Sequence, residues 1–137
     1  MDSEFSFADE TRRIIGCAIE VHRELGPGLS EKPYENALAV EFGLQGIQFE
    51  QQRAFDVAYK NVAVGKFVPD LIALGKIVVD AKVVKELTER EFGQMLTYLR
   101  VTRLPLGLLF NFSAPSLQWK RIALTQKQPT DQEINLR

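Results

Sequence analysis

Residues 77–84 read Ile77-Val78-Val79-Asp80-Ala81-Lys82-Val83-Val84, a strand-forming run interrupted by an acid and a base two positions apart. Side chains alternate along a strand, so Asp80 and Lys82 share one face with Val78 and Val84. Upstream, Val62 to Ile72 forms a second strand-like run in which Asp70 shares a face with Val68 and Ile72, again a charge among apolar neighbours. If Leu74-Gly75-Lys76 is the loop between them, Ala73 pairs with Ile77, Asp70 lies opposite Asp80, and Val68 lies opposite Lys82. Facing residues of an antiparallel pair have Cβ atoms about 4.5–5.5 Å apart, where like charges destabilise unless something neutralises them. A divalent cation would do so. Hard oxygen ligands on two strands, with positions left for water and a substrate phosphate, suit Mg²⁺ or Mn²⁺ better than a calcium cage. Lys82 on the same face is suited to orienting a water or stabilising charge on the phosphate.

Working outward, the preceding segment from Phe49 to Tyr59 is also strand-like, with Asn61 marking the turn to the next run, so the centre of the chain reads as a three-stranded meander. Two helices precede it. The first is expected from Asp9 to Leu25, with Ile14, Ile15, Ala18, Ile19 and Leu25 as its stripe, and is stopped by Gly26-Pro27-Gly28. The second starts after Ser30 as N-cap, tolerates Pro33 in its first turn, and ends near Gly46, with Ala37, Leu38 and Phe42 on its apolar side. After the meander, Thr88 and Glu91 form a capping box and Leu87 with Phe92 a hydrophobic staple, which opens a third helix with the core stripe Phe92, Met95, Leu96 and Leu99. Leu104 to Phe112 is apolar enough for a strand buried on both faces, and Leu117 to Leu124 adds another strand.

With 137 residues the chain suits one domain, expected over 1–124, followed by a polar extension over 125–137 that lacks periodicity and reads as weakly docked or disordered. No apolar run is long enough to span a bilayer, and the acidic N-terminus is unlike a secretory signal, which together suggest a cytoplasmic protein with no membrane partner. The single Cys17 excludes an intrachain disulfide and a thiolate zinc cluster, so a metal would be bound by oxygen. Charge is divided unevenly. Residues 1–50 carry 4 basic and 10 acidic side chains, whereas residues 51–137 carry 13 basic and 8 acidic, so the C-terminal part is the half suited to a polyanion.

A D-x-K spacing alone is more often a solvated ion pair, with Asp70 capping the turn; the combination of Pro69-Asp70 with Asp80-Ala81-Lys82 in one apolar hairpin is what favours a site. That combination resembles the PD-(D/E)xK signature of the restriction-endonuclease-like superfamily, an α/β fold with an αβββαβ core in which helices flank a mixed central sheet. Here an additional N-terminal helix would precede that core. Gly28-Leu29-Ser30-Glu31-Lys32-Pro33-Tyr34 is similar to the G-x-x-E-x-x-Y signature of small bacterial GxxExxY proteins assigned to that superfamily. Gln94-Met95-Leu96-Thr97-Tyr98 is similar to the Q-x-x-x-Y motif of its RecB-like branch.

The resemblance implies a Mg²⁺- or Mn²⁺-dependent nuclease acting on nucleic acid, with DNA as the expected substrate. It implies Glu31 as the upstream acidic member, Asp70 and Asp80 as metal ligands, the Ala81 carbonyl as a further ligand, and Lys82 as the catalytic lysine. Gln94 and Tyr98, one helical turn apart, would contact the phosphate backbone or brace Lys82; on spacing alone they also suit a half-exposed helix flank. Tyr34 belongs to the G-x-x-E-x-x-Y signature. His22, the single histidine, is either a supporting group or a hydrogen-bonded residue at the core edge near Gly26 and Tyr34. Cys17 reads as a small buried hydrophobe. A nuclease that cuts both strands needs two sites, which makes a homodimer an expectation that no residue pattern specifies. The rival reading is a noncatalytic nucleic-acid-binding or protein-interaction module that keeps the fold without turnover.

Overall fold

The computed structural model describes residues 3–124; the extension expected over 125–137 lies outside them. Three helices and seven strands follow in the order α1 (Ser3–Leu25), α2 (Glu31–Leu44), β1 (Phe49–Gln51), β2 (Phe55–Tyr59), β3 (Val62–Phe67), β4 (Leu71–Ala73), β5 (Ile77–Lys82), α3 (Glu89–Thr102), β6 (Leu106–Asn111) and β7 (Gln118–Ala123). A five-stranded mixed sheet, ordered β1-β4-β5-β6-β7, forms the centre. The β5–β6 pair is parallel, joined by the α3 crossover, and the other pairs are antiparallel. This is the mixed α/β architecture expected of a restriction-endonuclease-like fold. No helix among the described residues is long and apolar enough to cross a membrane.

The two faces of the sheet bury different halves of the core. Leu71, Ala73, Ile77, Val79, Ala81, Leu106, Leu108 and Phe110 pack against α1 and α2, while Ile72, Val78, Leu109 and Ile122 pack against α3. Every residue of β6 is buried, as its unbroken apolar run requires of a central strand covered on both sides. Met95 of α3 comes so close to β6 that a Cβ at Gly107 would lie 2.5 Å from its sulfur. The capping box forms as expected: Arg90 N–H donates to Thr88 Oγ1 at 3.2 Å, and Thr88 N–H donates to Glu91 Oε1 at 2.8 Å.

The meander needs correction. What reads as two continuous strands is four pieces, because the chain leaves the sheet after β1 through Gln52, whose φ is +60°, and returns only after Pro69. The excursion is a separate antiparallel hairpin, β2–β3, turned at Lys60 and Asn61, both in the left-handed region. Phe55 packs into the α3 side of the core and Phe67 stacks on Tyr98 with ring centroids 3.8 Å apart, so the hairpin is anchored at its base. Val62 and Val64 stand exposed toward its tip. Alternation of side chains cannot reveal such a split, since it continues through both pieces of each run.

Smaller differences have local causes. Helix α1 begins six residues before Asp9; there Phe7 packs against the core and lies under the Lys76 ammonium, 4.9 Å from its ring centroid, while Glu10 pairs with Lys76 at 2.9 Å. Its buried stripe is Ile14, Cys17, Ala18 and Val21, rotated from the expected one, and Ile19 and Leu25 are exposed. Ser30 precedes α2 without a side-chain cap bond. Strand β5 stops at Lys82 instead of Val84 because the Val83 and Val84 amides are taken by the side chains of Glu31 and Asn111.

Filling the α3–β6 contact tests this packing. Gly107→Ala should cost about 1–3 kcal/mol through displacement of buried Met95, read as a lowered denaturation midpoint. Combining it with Met95→Ala should cost less than the sum of the two single changes.

Candidate active site

The loop residue that pins the geometry is Asp70, placed immediately before β4 by buried Pro69. Strands β4 and β5 pair as the three-residue loop predicts, with Ala73 opposite Ile77, Ile72 opposite Val78 and Leu71 opposite Val79. The ladder ends there, so Val68 is not paired with Lys82 and is instead exposed at the mouth of the hairpin. Asp70 nevertheless meets β5: its Oδ2 accepts a hydrogen bond from the Ala81 amide at 2.9 Å. Its own carbonyl accepts from the Gln52 amide at 3.0 Å.

Asp80 is 6% exposed, on the α3 side of the sheet. Lys82 lies 3.4 Å from Asp80 Oδ2 and donates to Gln94 Oε1 at 2.9 Å, so the ammonium is held between strand and helix. Burial, followed by the charge of Asp80, pushes the Asp70 carboxyl up to about 7, against the lowering pull of the Ala81 amide. Burial also raises Asp80, opposed by Lys82. One acid of the pair, Asp80, is thus held out of water and the other, Asp70, is half-buried beside it.

Glu31, the first residue of α2, accepts from the Val83 amide through Oε2 at 3.2 Å, and its charge is felt at both aspartates. It therefore borders the pair from the far end of β5. Tyr98 sits on α3 with its ring on Phe67; burial and then the charge of Asp80 raise its hydroxyl pKa. Gln94 contacts Lys82 directly, while Tyr98 ties the hairpin to the helix beside it.

Tyr34 and His22 have different surroundings. The Tyr34 hydroxyl donates to Gly26 O and accepts from Leu29 N–H, and its ring stacks on Phe112 at 4.5 Å, which fastens the α1–α2 connection to the sheet. His22 Nε2 lies 2.9 Å from the Ala114 carbonyl and its ring stacks on Phe112, holding the segment after β6. Both take part in the packing around Phe112. Cys17 is buried, and that burial, with Glu41 second, lifts its thiol to about 11, unsuited to a thiolate role.

Two buried polar residues beside the site, Asn111 and Glu35, carry no role in the sequence analysis. Asn111 is fully buried on β6, opposite Lys82, and its amide bonds both the N–H and the C=O of Val84. Glu35 is 4% exposed on α2 and accepts from Gln51 and Gln52. Glu35 had a signal: with Leu38 and Phe42 it falls at i, i+3, i+7, a charge on the apolar stripe itself.

Among the described residues, no group of three or more His, Cys, Asp or Glu side chains is gathered to hold a metal ion. The donor chemistry still fits a hard dication. Mg²⁺ is commonly held by one or two carboxylates, completing its shell with water and substrate phosphate, and neighbouring like-charged carboxylates, one of them buried, are relieved by such an ion.

Without metal the pair should be a pH-dependent liability. An acid whose folded-state pKa lies above its unfolded value costs stability as pH rises through the interval between them, here from about 4 to about 7, and the full cost persists above it. Asp70→Asn, which keeps an oxygen for the Ala81 amide, should raise the melting temperature in chelator by a few degrees at pH 8. The gain should shrink toward pH 4; a gain independent of pH, or a loss at pH 8, would contradict this electrostatic reading.

A family model described as the PD-(D/E)XK nuclease superfamily matches residues 8–122. No curated protein and no solved structure gives a match. The match takes in most of α1, all of α2 and α3, the hairpin and the central sheet up to Ile122 in β7, including Pro69-Asp70 and Asp80-Ala81-Lys82. By that match, the chain belongs to the PD-(D/E)XK nuclease superfamily.

Proposed function

We propose that this protein hydrolyses phosphodiester bonds in nucleic acid, with DNA as the substrate, and that it requires Mg²⁺ or Mn²⁺. The observation that carries the reading is buried Asp80 beside half-buried Asp70, which bonds the Ala81 amide, with Lys82 braced next to them by Gln94. Asp70 and Asp80 are the principal metal ligands, and Glu31 and the Ala81 carbonyl are the further candidates. A dication held by these residues would supply charge neutralisation and polarisation of the phosphate.

The remaining steps belong to the chain's own groups. Lys82 places a positive charge beside the phosphate as negative charge develops, in a site whose partial burial strengthens that interaction. Gln94 limits the freedom of the ammonium, leaving less to organise at the moment of reaction. The Ala81 amide fixes one Asp70 oxygen and leaves the other for a ligand. The G-x-x-E-x-x-Y and Q-x-x-x-Y segments support placing the chain beside the GxxExxY and RecB-like members of the superfamily. A duplex cutter of this size would act as a pair of chains, one site per strand.

Supercoiled, linear double-stranded and single-stranded DNA incubated with MgCl₂ or MnCl₂ provide the test. Cleavage should appear with metal and vanish with chelator, and Lys82→Ala should lower the rate at least roughly 100-fold while the circular dichroism spectrum is retained. Asp70→Ala should be comparably inactive. Absence of cleavage on all substrates, with no metal-induced change in melting temperature, would favour a noncatalytic binding module.

A further inference from the structure

Glu35 is almost completely buried, yet no step of the proposed hydrolysis uses it. Its Oε2 accepts from the side-chain amides of both Gln51 and Gln52 at 2.8 Å, and its Oε1 accepts from Lys32 at 3.2 Å. Gln51 Nε2 also donates to Asn36 at 2.8 Å. Burial pulls the Glu35 carboxyl upward, but these donors outweigh it and hold the group below the ordinary carboxylate range, so it is ionised. Both carboxylate oxygens are thus already engaged.

The corner that Glu35 grips is the place where the chain departs from the sheet. Gln52 has a φ of +60°, an uncommon conformation for a residue other than glycine and one that surrounding contacts must enforce. From that corner the Gln52 amide donates to the carbonyl of Asp70, closing the base of the hairpin that separates them in sequence. Asp70 in turn reaches Ala81 on β5. A continuous path of hydrogen bonds therefore runs from Glu35, through the held corner, to the acid that begins β4.

We propose that Glu35 is a positioning residue for Asp70, acting through the Gln51–Gln52 corner, an inference that rests on reading Asp70 as a metal ligand. Its carboxylate is a clamp on two amides and does not bind the ion. A residue that only stabilised the fold would change the melting temperature and leave metal affinity alone. A clamp sets the affinity itself.

Calorimetric titration of MnCl₂ into the full chain separates these cases. Glu35→Ala should weaken binding about tenfold, the scale typical of groups that orient metal ligands. Glu35→Gln should retain most of the affinity, since its amide oxygen can accept from both glutamines while the largely exposed Lys32 side chain turns away, with a smaller loss than Glu35→Ala because the Glu35 charge is also felt at Asp70. Gln52→Ala, which leaves Glu35 bonded to Gln51, should give intermediate weakening. Folded Glu35→Ala with wild-type affinity would overturn the proposal, as would Glu35→Gln binding as poorly as Glu35→Ala, which would indicate direct use of the charge. If Glu35→Ala does not fold, unchanged affinity in Gln52→Ala overturns it. Wild type that takes up no Mn²⁺ would remove the nuclease reading along with this one, whereas normal wild-type binding with unaffected variants would remove this inference alone.

Discussion

Holding a half-buried carboxylate, Asp70, beside a buried one, Asp80, is costly, and the local architecture around β4 and β5 accommodates that cost. Water is excluded from Asp80 by β5 and the α3 layer, and Asp70 is brought to it by a proline-led return into the sheet. Neither acid is simply neutralised: Lys82 faces Asp80 and is shared with Gln94, while Asp70 has one backbone amide on Oδ2. Such an arrangement is unfavourable for a purely structural purpose, because apolar residues in the same places would pack without desolvating charge. It makes sense as a site poised for a cation.

The fold positions these groups by interrupting its own regularity. Strand β5 is central and buried, yet it ends where side chains from α2 and β6 capture its next two amides, so the segment after Lys82 is held by Glu31 and Asn111 instead of a neighbouring strand. The β2–β3 hairpin is similarly an excursion whose base is secured by Phe67 on Tyr98 and by the Gln52–Asp70 bond. The candidate site residues therefore sit at or near the ends of regular elements, where backbone and side chain are free to bond in different directions.

Much of this was legible in the chain because burial leaves a periodic trace. The apolar run of β6, the capping box at Thr88 and the three-residue loop pairing Ala73 with Ile77 are local signals, and each gave the observed element or register. Asp80 and Lys82 were visible as charges out of place on a strand. Splitting of the meander was not visible, since the left-handed turn at Gln52 carries no glycine and the contact its side chain makes with Glu35 is remote in sequence. Glu35 itself occupies an apolar stripe position, the same kind of anomaly as Asp70, but its meaning depends on glutamines 16 and 17 residues away. His22 and Tyr34 could be located by pattern; their bonds to the backbone at Ala114 and Gly26 arise only in the folded chain.

The most direct test is crystallographic. Crystals grown with MnCl₂ and measured at a wavelength where manganese scatters anomalously should show a peak touching the carboxylates of both Asp70 and Asp80. A featureless anomalous map at that position, or a manganese ion bound elsewhere with the two carboxyl groups left apart from it, would contradict the account.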